Sequence, residues 1–226
     1  MALKLSGRFY PLTFQPLAAT AGGRAASQEF DIPPFVDGSI RREPDLEHTY
    51  PSISCLCRAN LFAPRLEVGD LVAYMTTLGK FGLPERHRRL IAVLQVWKLF
   101  DSHLEASNWY RSQGLPVPSN CMVKGNRPLP LSHTVAAEGN RSQCNACRSL
   151  ADWDADYRER AELWGRFVVC KRVYRELTLD APVVRDSQLM RSLGEVPQTR
   201  NPRWRPVSEL AKLLEIIGLS VQLPGE

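Results

Sequence analysis

The run RRLIAVLQVWKLF, residues 88–100, constrains the fold of this chain more than any other stretch. Its middle, Leu90 to Leu94, is apolar at both parities, so a strand here is covered on both faces over part of its length. LEVGDLVAYM, residues 66–75, sets a Gly-Asp turn directly before another apolar strand. The connection between the two, TLGKFGLPERH, holds two glycines and a proline and reads as a flexible basic loop.

Upstream, SISCLCR alternates Ile53, Cys55 and Cys57 with Ser54, Leu56 and Arg58, which predicts a strand with both cysteines on one face. Side chains two apart on a strand lie roughly 7 Å from each other, too far for an easy disulfide and awkward for chelation. Core filling is therefore the reading for both thiols. Residues 3–17 are apolar but interrupted by Pro11 and Pro16, as in an edge strand or an irregular extended segment. AATAGGRAASQ, residues 18–28, reads as a small-residue loop, and residues 30–51 as a long loop turning at Asp37-Gly38.

Ser102 with Glu105 forms a capping box for a helix through Trp109 and Tyr110, which Gly114 and Pro116 end. A proline-rich excursion without periodicity follows, GLPVPSNCMVKGNRPLPLSHT, too long for a simple connector. SLADWDADYRERAELWGRF opens a helix with acids in its first turns, and RFVVCKRVY reads as a further strand. Ser208 is the expected cap of a last helix carrying Leu210, Leu213, Leu214 and Ile217 on one face, stopped by Gly218. No internal repeat is visible.

The chain's 226 residues, 44% hydrophobic and 23% charged, are enough for a self-sufficient core and argue against wholesale disorder. No apolar run reaches the roughly 18 residues of a membrane span, and the expected location is the cytoplasm. The net charge of +5 is mild. Its distribution is more informative, because residues 80–89 and residues 185–205 each carry a local excess of three positive charges.

Cys144 and Cys147, in CNAC, have a spacing that metal sites use, but only Cys121 and His133 lie near enough in sequence to complete a site, in no standard zinc pattern. Asp152, Asp154 and Asp156 alternate as in a calcium loop, yet Tyr157 and Leu163 stand where glycine and a bidentate glutamate belong. His48, His87, His103 and His133 sit in no nucleophile or metal motif. No catalytic residue, metal or cofactor is expected. Aromatics beside arginines are the better signal: Trp109, Tyr110 and Arg111 in one segment, and Arg200, Arg203, Trp204 and Arg205 in another. Rings stack on bases and guanidinium groups contact phosphates.

The order GSIRRE, SISCLCR, LEVGDLVAYM and RLIAVLQVWKLF resembles the start of the PUA-like superfamily, which includes the ASCH, EVE and YTH domains. Within it the resemblance is closest to the nucleotide modification associated domains, and it covers residues 41–110 and, more loosely, the strand at 166–174. It implies an α+β fold, a small curved β-barrel with helices packed outside, and a pocket for a modified or flipped-out base. It makes the chain a single PUA-like domain with a long inserted loop at about 114–150 and a helical carboxy-terminal extension at about 185–226. It also places Arg41, Arg42 and Arg58 at the pocket entrance and Gly69-Asp70 at the turn.

Asn120 and Asn126 join Trp109 and Tyr110 as candidates for holding the base, since an amide donates and accepts on one edge. Arg127, Arg200, Arg203, Trp204 and Arg205 complete the expected nucleic-acid contacts. The function expected is a non-catalytic module for DNA or RNA in a bacterial or phage-related modification or defence setting. Two alternatives stand beside it: a nucleotide- or nucleic-acid-modifying enzyme with a metal near Cys144 and Cys147, and an interaction subunit that docks a protein partner on the proline-rich excursion.

Overall fold

The computed structural model describes residues 7–135 and 149–224. Seven strands form one sheet: β1 (Arg8–Phe14), β2 (Ser52–Ser54), β3 (Leu71–Thr76), β4 (Arg88–Phe100), β5 (Phe167–Arg175), β6 (Val183–Val184) and β7 (Arg205–Pro206). Among the described residues five α-helices lie alongside it: α1 (Ala21–Glu29), α2 (His103–Ser112), α3 (Leu150–Leu163), α4 (Asp186–Leu193) and α5 (Val207–Ile216). The strands run in the order β2-β5-β4-β3-β1-β7, with β6 pairing the start of β4. The sheet curls into a half-barrel that does not close, so the fold is mixed α+β and curved, with β2 and β7 as open margins. No helix among the described residues is long and apolar enough to cross a membrane.

Alternation sorts the side chains into two cores. Tyr10, Leu12 and Phe14 of β1, Val72 and Tyr74 of β3, and Leu94 and Val96 of β4 fill the concave side. Phe9, Leu71, Ala73 and Met75 point outward, where Leu189 and Leu193 of α4 and Leu210, Leu213 and Leu214 of α5 cover them. Burial of each such side chain stabilises the fold by about 1.5–3 kcal/mol, which is why β4 had to be apolar at both parities. Toward its end β4 meets α2 instead, through Trp97, Phe100, Ala106 and Tyr110.

The Gly-Asp turn before β3 forms as expected, and Asp70 within it is fully buried. Its carboxylate accepts Arg8 Nε at 3.0 Å and Arg8 Nη2 at 2.9 Å, which ties the turn to the first strand. β1 is not an edge strand: it runs parallel to β3 in register Phe9↔Leu71 and pairs β7 on its other side. β2 ends at Ser54, before both cysteines. Consequently Cys55 is buried while Cys57 is exposed, and the shared cysteine face does not form. Only Cys55 fills the core.

Two helix readings change as well. The expected loop at residues 18–28 contains α1, capped by Thr20, whose hydroxyl accepts from Gly23 N at 2.9 Å. A Cβ at Gly23 would stand 1.8 Å from the Leu17 carbonyl oxygen, so a residue that weakens helices is the one that lets this helix dock. α5 starts at Val207 with Pro206 at its cap position, which places Ser208 inside the helix rather than at its cap.

Candidate nucleic-acid interface

Most of the expected contact residues carry the architecture. Arg41 is 1% exposed and pairs with Asp154 of α3. It also donates to the carbonyls of Ser119 at 3.1 Å and Asn126 at 3.2 Å, so it staples the proline-rich excursion to a helix. Arg42 bonds the carbonyl oxygens of Asp37 and His133 and pairs with Glu47 at 3.2 Å. Arg58, 6% exposed, donates from Nε to the Thr199 carbonyl at 2.7 Å.

Asn120 is fully buried between Glu43 and Ser52, donating to Glu43 Oε2 at 2.9 Å and accepting from Ser52 Oγ at 2.7 Å. Asn126 Nδ2 donates to the carbonyls of Pro118 and Cys121 at 2.9 and 2.8 Å. Tyr110 is fully buried with its hydroxyl on the Tyr50 carbonyl at 2.9 Å, and Trp109 packs edge-on against it at 4.9 Å. Arg41, Asn120 and Asn126 are thus brought together, but as parts of a stitched interior. The reason is desolvation: an arginine or amide taken from water costs stability unless hydrogen bonds replace those it had in water, and these three side chains make them within the protein.

Glu43 lies at the centre of this stitching. Its carboxylate accepts Ser54 N at 2.9 Å, Ser54 Oγ at 2.5 Å and Asn120 Nδ2. Complete burial pushes its pKa up to about 7, because the charged form loses water, while those donors and Arg58 pull the other way. His103 shows the mirror effect, its pKa falling to about 4 through burial and the nearby Arg41.

Arg127, on the proline-rich excursion, is exposed; at the β7 margin Arg200 and Arg203 are exposed and Trp204 is 55% exposed. Arg205 pairs with Glu195 at 2.7 Å and Glu209 at 3.4 Å. The two basic segments do meet, where Arg88 at the start of β4 pairs with Asp186 of α4 at 3.0 Å. The contact neutralises charge rather than concentrating it. Cys144 and Cys147 lie outside the described residues. Of their expected partners, Cys121 faces the His103 carbonyl and His133 bonds Ser132.

A hollow does form, in a place the sequence did not single out. Arg24, Ser27 and Gln28 share one face of α1, three and four residues apart, and look across a cleft of about 530 Å³ at residues 78–82. Ala18, Ala19, Pro34 and Leu179 provide apolar wall, and Lys80 and Phe81 bring a charge and a ring. Among the described residues no acid lines it. Gly79 has to be glycine here, since a Cβ would stand 2.5 Å from the Phe81 ring.

Arg89 holds the rim. It is 7% exposed, and its guanidinium donates to the carbonyls of Phe81 at 2.9 Å, Leu179 at 2.6 Å and Ala181 at 2.7 Å. Its Nε meets His87 Nε2 at 3.1 Å, which requires the His87 proton on Nδ1, facing the Glu85 carbonyl at 2.9 Å. Phe81 is fixed in turn by edge-on contacts to Phe35 at 5.4 Å and His87 at 6.0 Å. Two glycines and a proline suggested a loose loop; its order comes from one buried arginine reaching a segment 90 residues away.

No family model matches the chain, and no curated protein or solved structure shows significant similarity to it.

Proposed function

We propose that this chain is a nucleic-acid-binding module, of PUA-like type, that receives an extruded, modified base in the cleft between α1 and residues 78–82. The observation that carries the reading is the cleft's composition. Arg24 and Lys80, far apart in sequence, face one hollow with an aromatic ring, an amide, a hydroxyl and, among the described residues, no acid. A volume of about 530 Å³ suits a nucleotide-sized ligand. Phe81 offers a surface for stacking, Gln28 offers hydrogen bonds to a base edge, Ser27, whose hydroxyl donates to the Ile32 carbonyl, offers an acceptor, and the two cations stand ready for phosphate. Extruding a base costs a few kcal/mol, which stacking and edge bonds recover.

Calorimetric titration with nucleoside monophosphates bearing plain and modified bases tests this. Binding is expected, and the double variant Arg24→Ala/Lys80→Ala is expected to weaken it about tenfold or more, because two phosphate-facing cations go. Both side chains are exposed, so the melting temperature should stay put. If the double variant bound every nucleotide as the parent does, or if none bound the parent, the reading would be wrong.

A further inference from the structure

The strongest unassigned feature is on the other side of the sheet, on the convex face of β4 and β5. Register shifts interrupt this strand pair twice. Val96 pairs Cys170 but Lys98 pairs Val169, so Trp97 is an inserted residue. Val93 pairs Tyr174 but Leu94 pairs Arg172, so Val173 is inserted opposite. The two bulges bracket the regular pair Gln95↔Lys171. A bulge re-aims side chains, and here it breaks the alternation so that Trp97 and Lys98 both emerge on the convex face while Val96 and Leu99 stay with the concave core.

The result is a ring dressed with cations. Lys98 Nζ lies 5.0 Å from the Trp97 ring centre and 5.8 Å from that of Trp109, and Lys171 Nζ lies 4.9 Å from Trp97. Tyr50 supports Trp97 at 5.1 Å with a tilt of 30°, and Trp109 braces it edge-on at 5.5 Å. Beside the ring, Lys171, the exposed Arg172, Tyr174 and residues 220–224 border a cleft of about 640 Å³, with no acid among the described residues of its lining. Gln95 forms part of that lining; it is 3% exposed and its amide nitrogen has no hydrogen-bond partner. A buried amide left unpaired costs stability, and an acceptor brought by a ligand into this cleft would relieve that cost.

We propose that this convex face is a second nucleic-acid surface, a platform for a single strand. Bases stack on Trp97, phosphates engage Lys98 and Lys171, and an adjoining base sits in the cleft at Gln95. The exchange on binding is favourable in both directions. A base that displaces an ammonium from the ring replaces a cation–π contact by the stronger base–aromatic stack, and it frees that lysine for phosphate. The platform uses none of the residues of the α1 cleft, so it stands or falls separately.

Fluorescence anisotropy of the full chain with labelled oligothymidine and oligouridine strands, over stepped salt concentrations, tests the proposal. Binding is expected to weaken as salt rises. The double variant Lys98→Ala/Lys171→Ala should lose about tenfold or more in affinity and flatten the log–log salt slope by about 1.4, two contacts at about 0.7 each for a single strand. Trp97→Leu should lose about tenfold with the slope unchanged, since it removes stacking and no charge. Because Trp97→Leu could disturb the fold, the lysine pair, whose side chains reach solvent, decides the matter. Absence of binding, an unaltered slope in the lysine variant, or equal displacement by polyglutamate would overturn the platform. Retained mononucleotide binding by the lysine variant shows that the α1 cleft is a separate site. Failure of mononucleotide binding with a functioning platform removes only the cleft reading.

Discussion

Two sets of polar side chains that look alike in the sequence play opposite parts in the molecule. Around the proline-rich excursion, Arg41, Arg42, Asn120 and Asn126 are sunk among carbonyls and carboxylates, each bonded to a different stretch of chain. On the convex face and in the α1 cleft, Lys98, Lys171, Arg24 and Lys80 face rings, walls and solvent, with no acid lining either cleft among the described residues. The first set substitutes for secondary structure in a segment whose prolines prevent it. The second leaves charge for a partner. Local density of arginine therefore does not distinguish scaffold from contact surface; the presence of a long-range acceptor does.

The sharpest way to break this contrast is at Arg41. Arg41→Met removes one partner of a buried ion pair and orphans the carbonyls of Ser119 and Asn126. Asp154 keeps Arg158 at 3.3 Å, so the expected loss is about 3 kcal/mol, the lower end for broken buried pairs. Urea unfolding measures it. A loss below about 1 kcal/mol would mean that Arg41 is a surface-like charge and that the two sets are not distinct.

Glu43 gives a second test through pH. Its folded pKa, about 7, is raised above the usual carboxyl value of 4.5, so the folded state retains a proton that the unfolded chain releases. Between those values the folded state binds more protons, and stability falls as pH rises from about 4.5 to about 7, by on the order of 3 kcal/mol. Below that window the contribution is complete; above it no further change comes from this group. Glu43→Gln is expected to remove that part of the slope, read from denaturant midpoints at several pH values. An unchanged slope would place the titration elsewhere.

The regular elements were legible where local signals were strong: β3, β4 and β5 lie where the apolar patterns put them, α2 where Ser102 and Glu105 put it, and α3 where the acids of its first turns put it. The curl was legible too, though the sheet stays open where a barrel was expected. α1 was hidden because Gly22 and Gly23 lower helix propensity, while the reason for Gly23 is a carbonyl of the preceding turn. The cleft was hidden for the same kind of reason. Arg24 sat in an apparent loop and Lys80 in an apparently flexible one, and what orders the second, Arg89, acts through carbonyls near residue 180. The bulge at Trp97 has no sequence signature at all, since it is a relation between two strands.

The smallest expected effect is at Trp204. Its ring is 55% exposed, and the neighbouring Arg203 is exposed, while Arg205 beside them pairs with two glutamates. Substitution of an exposed side chain away from caps and networks usually changes stability by less than about 0.5 kcal/mol, so Arg203→Ala/Trp204→Ala should melt with the parent. Its oligonucleotide affinity should fall less than that of Lys98→Ala/Lys171→Ala. β7 is the sheet margin three strands from β4, with the α4–α5 layer over the outer face between them. A larger loss than the lysine pair shows would move the strand's path from the convex face of β4–β5 to the β7 margin, and with it the distinction between cations held near rings by a bulge and cations merely exposed.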